Sequence, residues 1–172
     1  MRTALALSAA LAFIPAAFAQ QGPTDPQIAH IVVTANQVDI DAGKLAEKMS
    51  KNKEVKSFGH QMVADHTSVN KSATDLVKKL GVKPEANDTS ASLAKGGEAN
   101  RAKLRKMHGK EFDRAYVENE VTYHQAVIDA VDKTLIPNAK NADLKALLEK
   151  VRPALVQHLE HAKHLQSQLA GQ

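Results

Sequence analysis

The sequence contains no cysteine and no tryptophan, and aromatic residues make up only 3% of its 172 positions. The lack of cysteine excludes disulfides, zinc–thiolate sites, iron–sulfur clusters and a cysteine nucleophile. The shortage of aromatic side chains argues against a sheet-rich fold, which draws on aromatic and β-branched residues. Neither sign of charge dominates: 23 Lys and Arg stand against 19 Asp and Glu, a net charge of +4. That mild excess, without an aromatic-studded basic strand, leaves no footprint for nucleic acid. After the N-terminal segment no run approaches the roughly 20 apolar residues of a membrane helix. The familiar catalytic signatures are missing too: Gly-x-Ser-x-Gly, a phosphate-binding loop, a dinucleotide fingerprint and His-Glu-x-x-His are all absent. By its motifs the chain reads as a binding or structural protein rather than an enzyme.

What is present is 43% hydrophobic and 24% charged, rich in Ala, Leu, Lys and Val, a balance that favours helices. The length suits one domain. The first residues read as an export signal. Arg2 is followed by an apolar stretch from Ala4 to Ala17, and Ala17-Phe18-Ala19 has the small-x-small form of a cleavage site. A signal peptide over 1–19 is expected, with cleavage after Ala19. This leaves one domain over 20–172 in the periplasm or the medium.

Apolar residues then recur at threes and fours in four stretches. Asp25-Pro26 reads as a cap and first helical residue, and Ile28 to Met49 carry the first stripe, predicting a helix over 26–50. Val55 to Leu80 carry the second, over 53–80, stopped by Gly81. Phe112 to Leu135 carry the third, over 110–135, ended by Pro137. Leu144 to Leu169 carry the fourth, over 142–169, with Pro153 inside it as an expected kink. The connection 81–109 is long for a compact domain. It is expected to be partly helical from Thr89 or Ser90 to Met107, with Gly96-Gly97 as a flexible joint. Short links within each pair and a long one between the pairs predict two antiparallel hairpins joined by a crossover. That is the ferritin-like four-helix bundle, with up-down-up-down as the other possibility.

The informative residues are polar ones standing on apolar stripes. They are Asp39 in the first helix, His66 in the second, Glu120 and His124 in the third, and His158 in the fourth. At 1.5 Å per residue, Asp39 and His66 both fall roughly 18–21 Å from their shared turn. His124 and His158 fall roughly 18 and 25 Å from theirs, so all five sit near mid-height. Two readings follow. Imidazole and carboxylate converge on one transition-metal ion, such as Zn, Fe, Cu or Ni; or they form a hydrogen-bonded polar core that fixes helix register. The sequence holds no Glu-x-x-His, which argues against a di-iron oxidase site. His161 and His164 drift to the outer face of the fourth helix and read as solvated.

Met62-Val63-Ala64-Asp65-His66, Phe112-Asp113-Arg114-Ala115-Tyr116-Val117 through His124, and Pro153 through His158-Leu159 together resemble a bacterial exported family, domain of unknown function 4142. The resemblance spans about 25–169. It implies a ferritin-like four-helix bundle and carries no biochemical activity with it. The positions that match the family's recurrent polar residues are Asp39, Asp65, His66, Asp113, His124 and His158, Asp39 standing where the family usually has Glu. The family's outer-membrane label implies a location for which this chain shows neither barrel strands nor a lipidation cysteine. The expected role is therefore an envelope or stress protein with a buried His/carboxylate cluster. Its partners would be an envelope component or a second copy of the chain.

Overall fold

The computed structural model describes residues 22–171, and the expected signal peptide over 1–19 lies outside the described residues. The described chain is an all-α bundle with no strand. Its elements are α1 (Asp25–Met49), α2 (Lys53–Lys79), α3 (Asp88–Leu104), α4 (Gly109–Ala130), a π-helical turn (Val131–Leu135), the single turn α5 (Ile136–Asn138) and α6 (Ala142–Ala170). No described helix is long and apolar enough to cross a membrane.

The capping chemistry explains most boundaries. Asn52 and Asn141 open α2 and α6, each side chain accepting from two backbone N–H groups of the first turn. The cap of α1 is Thr24 rather than the expected Asp25, and its N–H donates to the Gln27 side chain. Asp25 instead accepts from the N–H groups of Lys140 at 2.8 Å and Asn141 at 2.9 Å, fastening the start of α1 to the turn before α6. At the end of α2, Gly81 takes φ +64°. The Val82 N–H reaches back to the Val77 carbonyl and the Gly81 N–H to that of Lys78, the pairing of a Schellman stop.

Three expectations are corrected in detail. The crossover helix is capped by Asn87, which accepts from the Ser90 N–H while the Ser90 hydroxyl answers the Asn87 N–H. Thr89 and Ser90 are therefore inside it, and it ends at Leu104 rather than Met107. Gly96-Gly97 is not a joint, because α3 runs through both. Gly97 is buried where α3 presses on α1, and a Cβ there would meet Val38 at 2.7 Å. Pro137 does not end the third predicted helix abruptly. The helix widens into the π-turn and closes with Pro137 in the single turn α5, where proline can accept but not donate a backbone hydrogen bond. α6 continues through Pro153 to Ala170.

The contacts fix the topology. α1 pairs with α2, and α4 with α6. α3 starts beside the beginning of α1, where the Glu85 N–H donates to the Pro26 carbonyl, and finishes beside the far half of α1, where Arg101 meets Asp41 at 3.4 Å. The crossover thus runs the length of the bundle, and α2 and α4 point the same way. Asp113 near the start of α4 accepts from the Ser50 hydroxyl at 2.5 Å, while Arg114 donates to the Leu169 carbonyl at the end of α6. The α1–α2 seam is close. A Cβ on Gly43 would lie 2.7 Å from the Gly59 carbonyl oxygen, so only glycine fits.

The core has two apolar halves. One is built on Ile28, Ile31, Ile128, Leu135, Leu148 and Leu155. The other is built on Ala46, Phe58, Met62, Phe112, Tyr116 and Leu165. Each long helix changes from one half to the other at a polar residue: Asn36 and Asp39 in α1, His66 in α2, Glu120 and His124 in α4, His158 in α6, all buried. A polar layer therefore crosses the bundle at mid-height.

Candidate metal centre

Burying ionisable groups between two apolar halves is costly unless each finds a partner, so the partners are the informative part. His66 sits on α2 with its ring Nδ1 2.6 Å from Asn36 Oδ1. Asn36 is oriented by its own amide nitrogen, which donates to the Val32 carbonyl at 2.8 Å. Its oxygen therefore faces the imidazole, and His66 Nδ1 must carry the proton. His124 Nδ1 lies 3.0 Å from the backbone carbonyl of Glu120. A carbonyl only accepts, so this nitrogen is protonated as well. His158 Nε2 lies 2.9 Å from Asp65 Oδ2 and donates to that carboxylate.

Each of the three rings is thus held from outside through one N–H. The other nitrogen of each, Nε2 of His66 and His124 and Nδ1 of His158, is buried and makes no hydrogen bond. Ligating nitrogens of the three histidines lie within 4.8 Å of one another, and the rings face each other with centroids 5.2–5.7 Å apart. The fourth group is Asp39. Its Oδ2 is 2.7 Å from His66 Nε2 and 3.3 Å from His124 Nε2, close in distance but with hydrogen-bond alignment to neither. Glu120 completes a second triad with Asp39 and His124, and both its oxygens are buried without a hydrogen bond.

The electrostatics separate the two carboxyls. Burial pushes the Asp39 carboxyl up, but the close approach of His66 and, after it, His124 outweighs that and holds it down at about 2. Burial, reinforced by the charge of Asp39, pushes Glu120 well above the carboxylate range. Glu120 is the neutral partner of an ionised Asp39. Burial also lowers His124 to about 4 and lowers His158, so both imidazoles are neutral, as metal ligation requires.

All five residues expected from the stripes, Asp39, His66, Glu120, His124 and His158, come together here, while His161 and His164 are exposed on α6. Asp113, matched through the resemblance, lies elsewhere and joins Ser50. Pattern reading passed over Asn36, although it stands on the stripe four after Val32 and three before Asp39. It named Asp65 only through the resemblance, because Asp65 is an exposed residue whose partner belongs to another helix.

Two hollows reach the layer. A cleft of about 650 Å³ between α1, α3 and α4 leads to Asp39 and Glu120 past Asp88, Asn100 and Asn119. A second, mainly apolar cavity of about 290 Å³ has the three histidines along its wall.

Over residues 12–165 the sequence matches the profile of the family described as Domain of unknown function (DUF4142). The chain belongs to the DUF4142 family. No curated protein and no solved structure matches this DUF4142 chain.

Proposed function

We propose that this DUF4142 protein is an exported, ferritin-like bundle that holds one divalent transition-metal ion between its four long helices. His66, His124 and His158 supply nitrogen, and Asp39 supplies a carboxylate oxygen. One observation carries the reading: all three imidazoles are anchored through one N–H, and the second nitrogen of each is buried without an aligned hydrogen bond. Metal-binding histidines are usually held this way, by an outer acceptor that fixes tautomer and ring orientation. A hydrogen-bonded core built only for stability has no need of three unpartnered lone pairs, since each costs about 1–3 kcal/mol.

The donor set is borderline in softness and suits Zn, Fe, Cu or Ni. A tetrahedral ion with bonds of about 2.0–2.1 Å puts its ligands roughly 3.4 Å apart, so the rings close in on the ion as it binds. The cleft past Asp88 and Asn119, lined by both polar and apolar side chains, offers a route for a hydrated cation. An export signal over 1–19 would carry the protein to the periplasm or the medium, where its role is holding or buffering the ion. The second reading, a polar layer that fixes helix register, draws on the 2.7 Å approach of His66 to Asp39 as an ion pair.

The test is elemental analysis of untagged protein, before and after it is offered each metal. About one retained equivalent per chain, lost in His66→Ala and in His124→Ala, is the expected result. Variants that lose stability while no form of the protein retains metal would instead support the register role.

A further inference from the structure

The apolar cavity has a composition that metal binding alone does not use. Its walls come from Ile31, Val127, Leu135, Leu148 and Leu155, and no Lys or Arg among the described residues lines it. Part of the wall is the π-helical turn, through Val131, Thr134 and Leu135. The hollow is therefore bordered by a widened stretch of backbone, a feature common at functional sites. Thr89, exposed at the start of α3, borders it, so the cavity reaches the surface there. Along one side stand His66, His124 and His158. His158 is 3% exposed and His124 1%, and each has a ring nitrogen without a partner.

We infer that this cavity binds a small apolar molecule bearing a single hydroxyl, an alkylphenol or a medium-length aliphatic alcohol. The hydroxyl donates to the bare Nδ1 of His158 and the hydrocarbon body lies against the α4–α6 wall. Size and chemistry both enter. An apolar cavity of 150 Å³ holds benzene, so about 290 Å³ accommodates a molecule of about ten non-hydrogen atoms. The walls offer an apolar ligand its burial. The histidine side offers acceptors and nothing to neutralise a carboxylate, so a neutral donor fits it best. This inference stands on the cavity and the unpartnered nitrogens. It rests on the metal reading in one respect only: with an ion bound, the same hydroxyl oxygen faces the ion.

Titration of the full, metal-stripped protein with 4-propylphenol, 1-octanol and propylbenzene, followed by calorimetry and amide NMR shifts, tests it. Both hydroxyl compounds are expected to bind about tenfold or more tighter than propylbenzene, the cost of leaving a buried acceptor unpaired. His158→Phe should erase that preference. Ala154→Leu, which fills the cavity from α6, should weaken all three ligands, and Ala130→Leu does the same from α4 should the first variant fold poorly. No binding of either hydroxyl compound, equal binding of propylbenzene, or binding undiminished by both filling variants would overturn the inference. Metal content is read separately on the same preparations, so failure of the ion reading shows up independently.

Discussion

Asn36 offers the sharpest test of the centre because it touches no ion and decides what His66 can do. Its Oδ1 accepts the His66 Nδ1 proton at 2.6 Å, and both residues are buried. Asn36→Leu keeps the branched shape, at some cost in bulk, and removes the acceptor. The His66 proton then moves to Nε2, the nitrogen 2.7 Å from Asp39 Oδ2, and the lone pair there is gone. To bind an ion the ring must return to the Nδ1–H tautomer with that N–H buried and unpaired, at a cost of about 1–3 kcal/mol. At 1.4 kcal/mol per decade this raises Kd roughly 5- to 150-fold, in line with the 10- to 100-fold usual for lost outer partners of ligating histidines. Asn36→Asp restores the acceptor and should hold affinity at or above the parent value. The assay is competition against a chromophoric chelator at pH 7.5, with urea melts of the metal-free forms to separate affinity from stability. A Kd for Asn36→Leu within twofold of the parent refutes the reasoning. So does an Asn36→Asp variant as weak as the leucine form.

Further outcomes follow from the same contacts. In the loaded protein, nitrogen-detected NMR should find His66 and His124 protonated at Nδ1 and His158 at Nε2; the reverse tautomer at His124 would contradict its bond to the Glu120 carbonyl. The metal-free protein should lose stability as pH falls. His124 titrates at about 4 when folded and near 6.5 when unfolded, so the unfolded chain binds more protons between those values. The loss spreads over about pH 6.5 to 4 and is on the order of 3 kcal/mol. Asp39, held at about 2, adds a second loss between about 4 and 2. A flat urea midpoint from pH 7 to 4 would contradict this. Gly43→Ala drives a methyl to 2.7 Å from the Gly59 carbonyl, and overpacking of about 1–3 kcal/mol should outweigh its gain of about 1 kcal/mol in helix propensity. A raised melting temperature would show that the seam yields. Ser50→Ala strips the buried Asp113 carboxylate of its hydroxyl partner and should cost about 1.5–3 kcal/mol in chemical denaturation; a neutral result would mean that Asp113 finds another donor.

The helices were legible because their stripes are long and their ends are chemically marked. Gly81 lies two residues past the end of α2 at Lys79, and the long gap over 81–109 between two short-linked pairs favours a crossover. Asn87 was harder to read as a cap because Asp88, Thr89 and Ser90 are all capping residues too, and only the tertiary bond from Asn87 to the Gln27 carbonyl distinguishes it. The π-turn carries no sequence signature of its own: Val131 to Leu135 continues the apolar period while the backbone widens around it. Within the site, the ligand candidates could be read because each is polar on an apolar stripe. Their outer partners could not. Asp65 reaches His158 from another helix, and the Glu120 carbonyl belongs to the backbone, so neither shows in any one-dimensional pattern.

The case for a site over a register device turns on which groups are satisfied. A polar layer selected for register would close on itself, each donor meeting an acceptor, as Ser50 and Asp113 do at the top of the bundle. The mid-height layer satisfies its outer atoms and leaves a second ring nitrogen on each of the three histidines without an aligned hydrogen bond, while the neutral Glu120 faces the ionised Asp39. Burial without a partner is unfavourable for each of these nitrogens, and Glu120 stays neutral because a second charge beside Asp39 is unfavourable. Hydrophobic isosteres at the same positions would pack as well without that cost. The arrangement gains stability when a positive ion enters between the ring nitrogens and the ionised Asp39. The prediction is direct: saturating ion should raise the thermal midpoint of the parent protein in proportion to the logarithm of its free concentration above Kd. A double variant, His66→Phe with Asp39→Leu, should match or exceed the metal-free parent in stability while losing all response to the ion. A double variant far less stable than the metal-free parent would instead show that the layer holds the fold by itself.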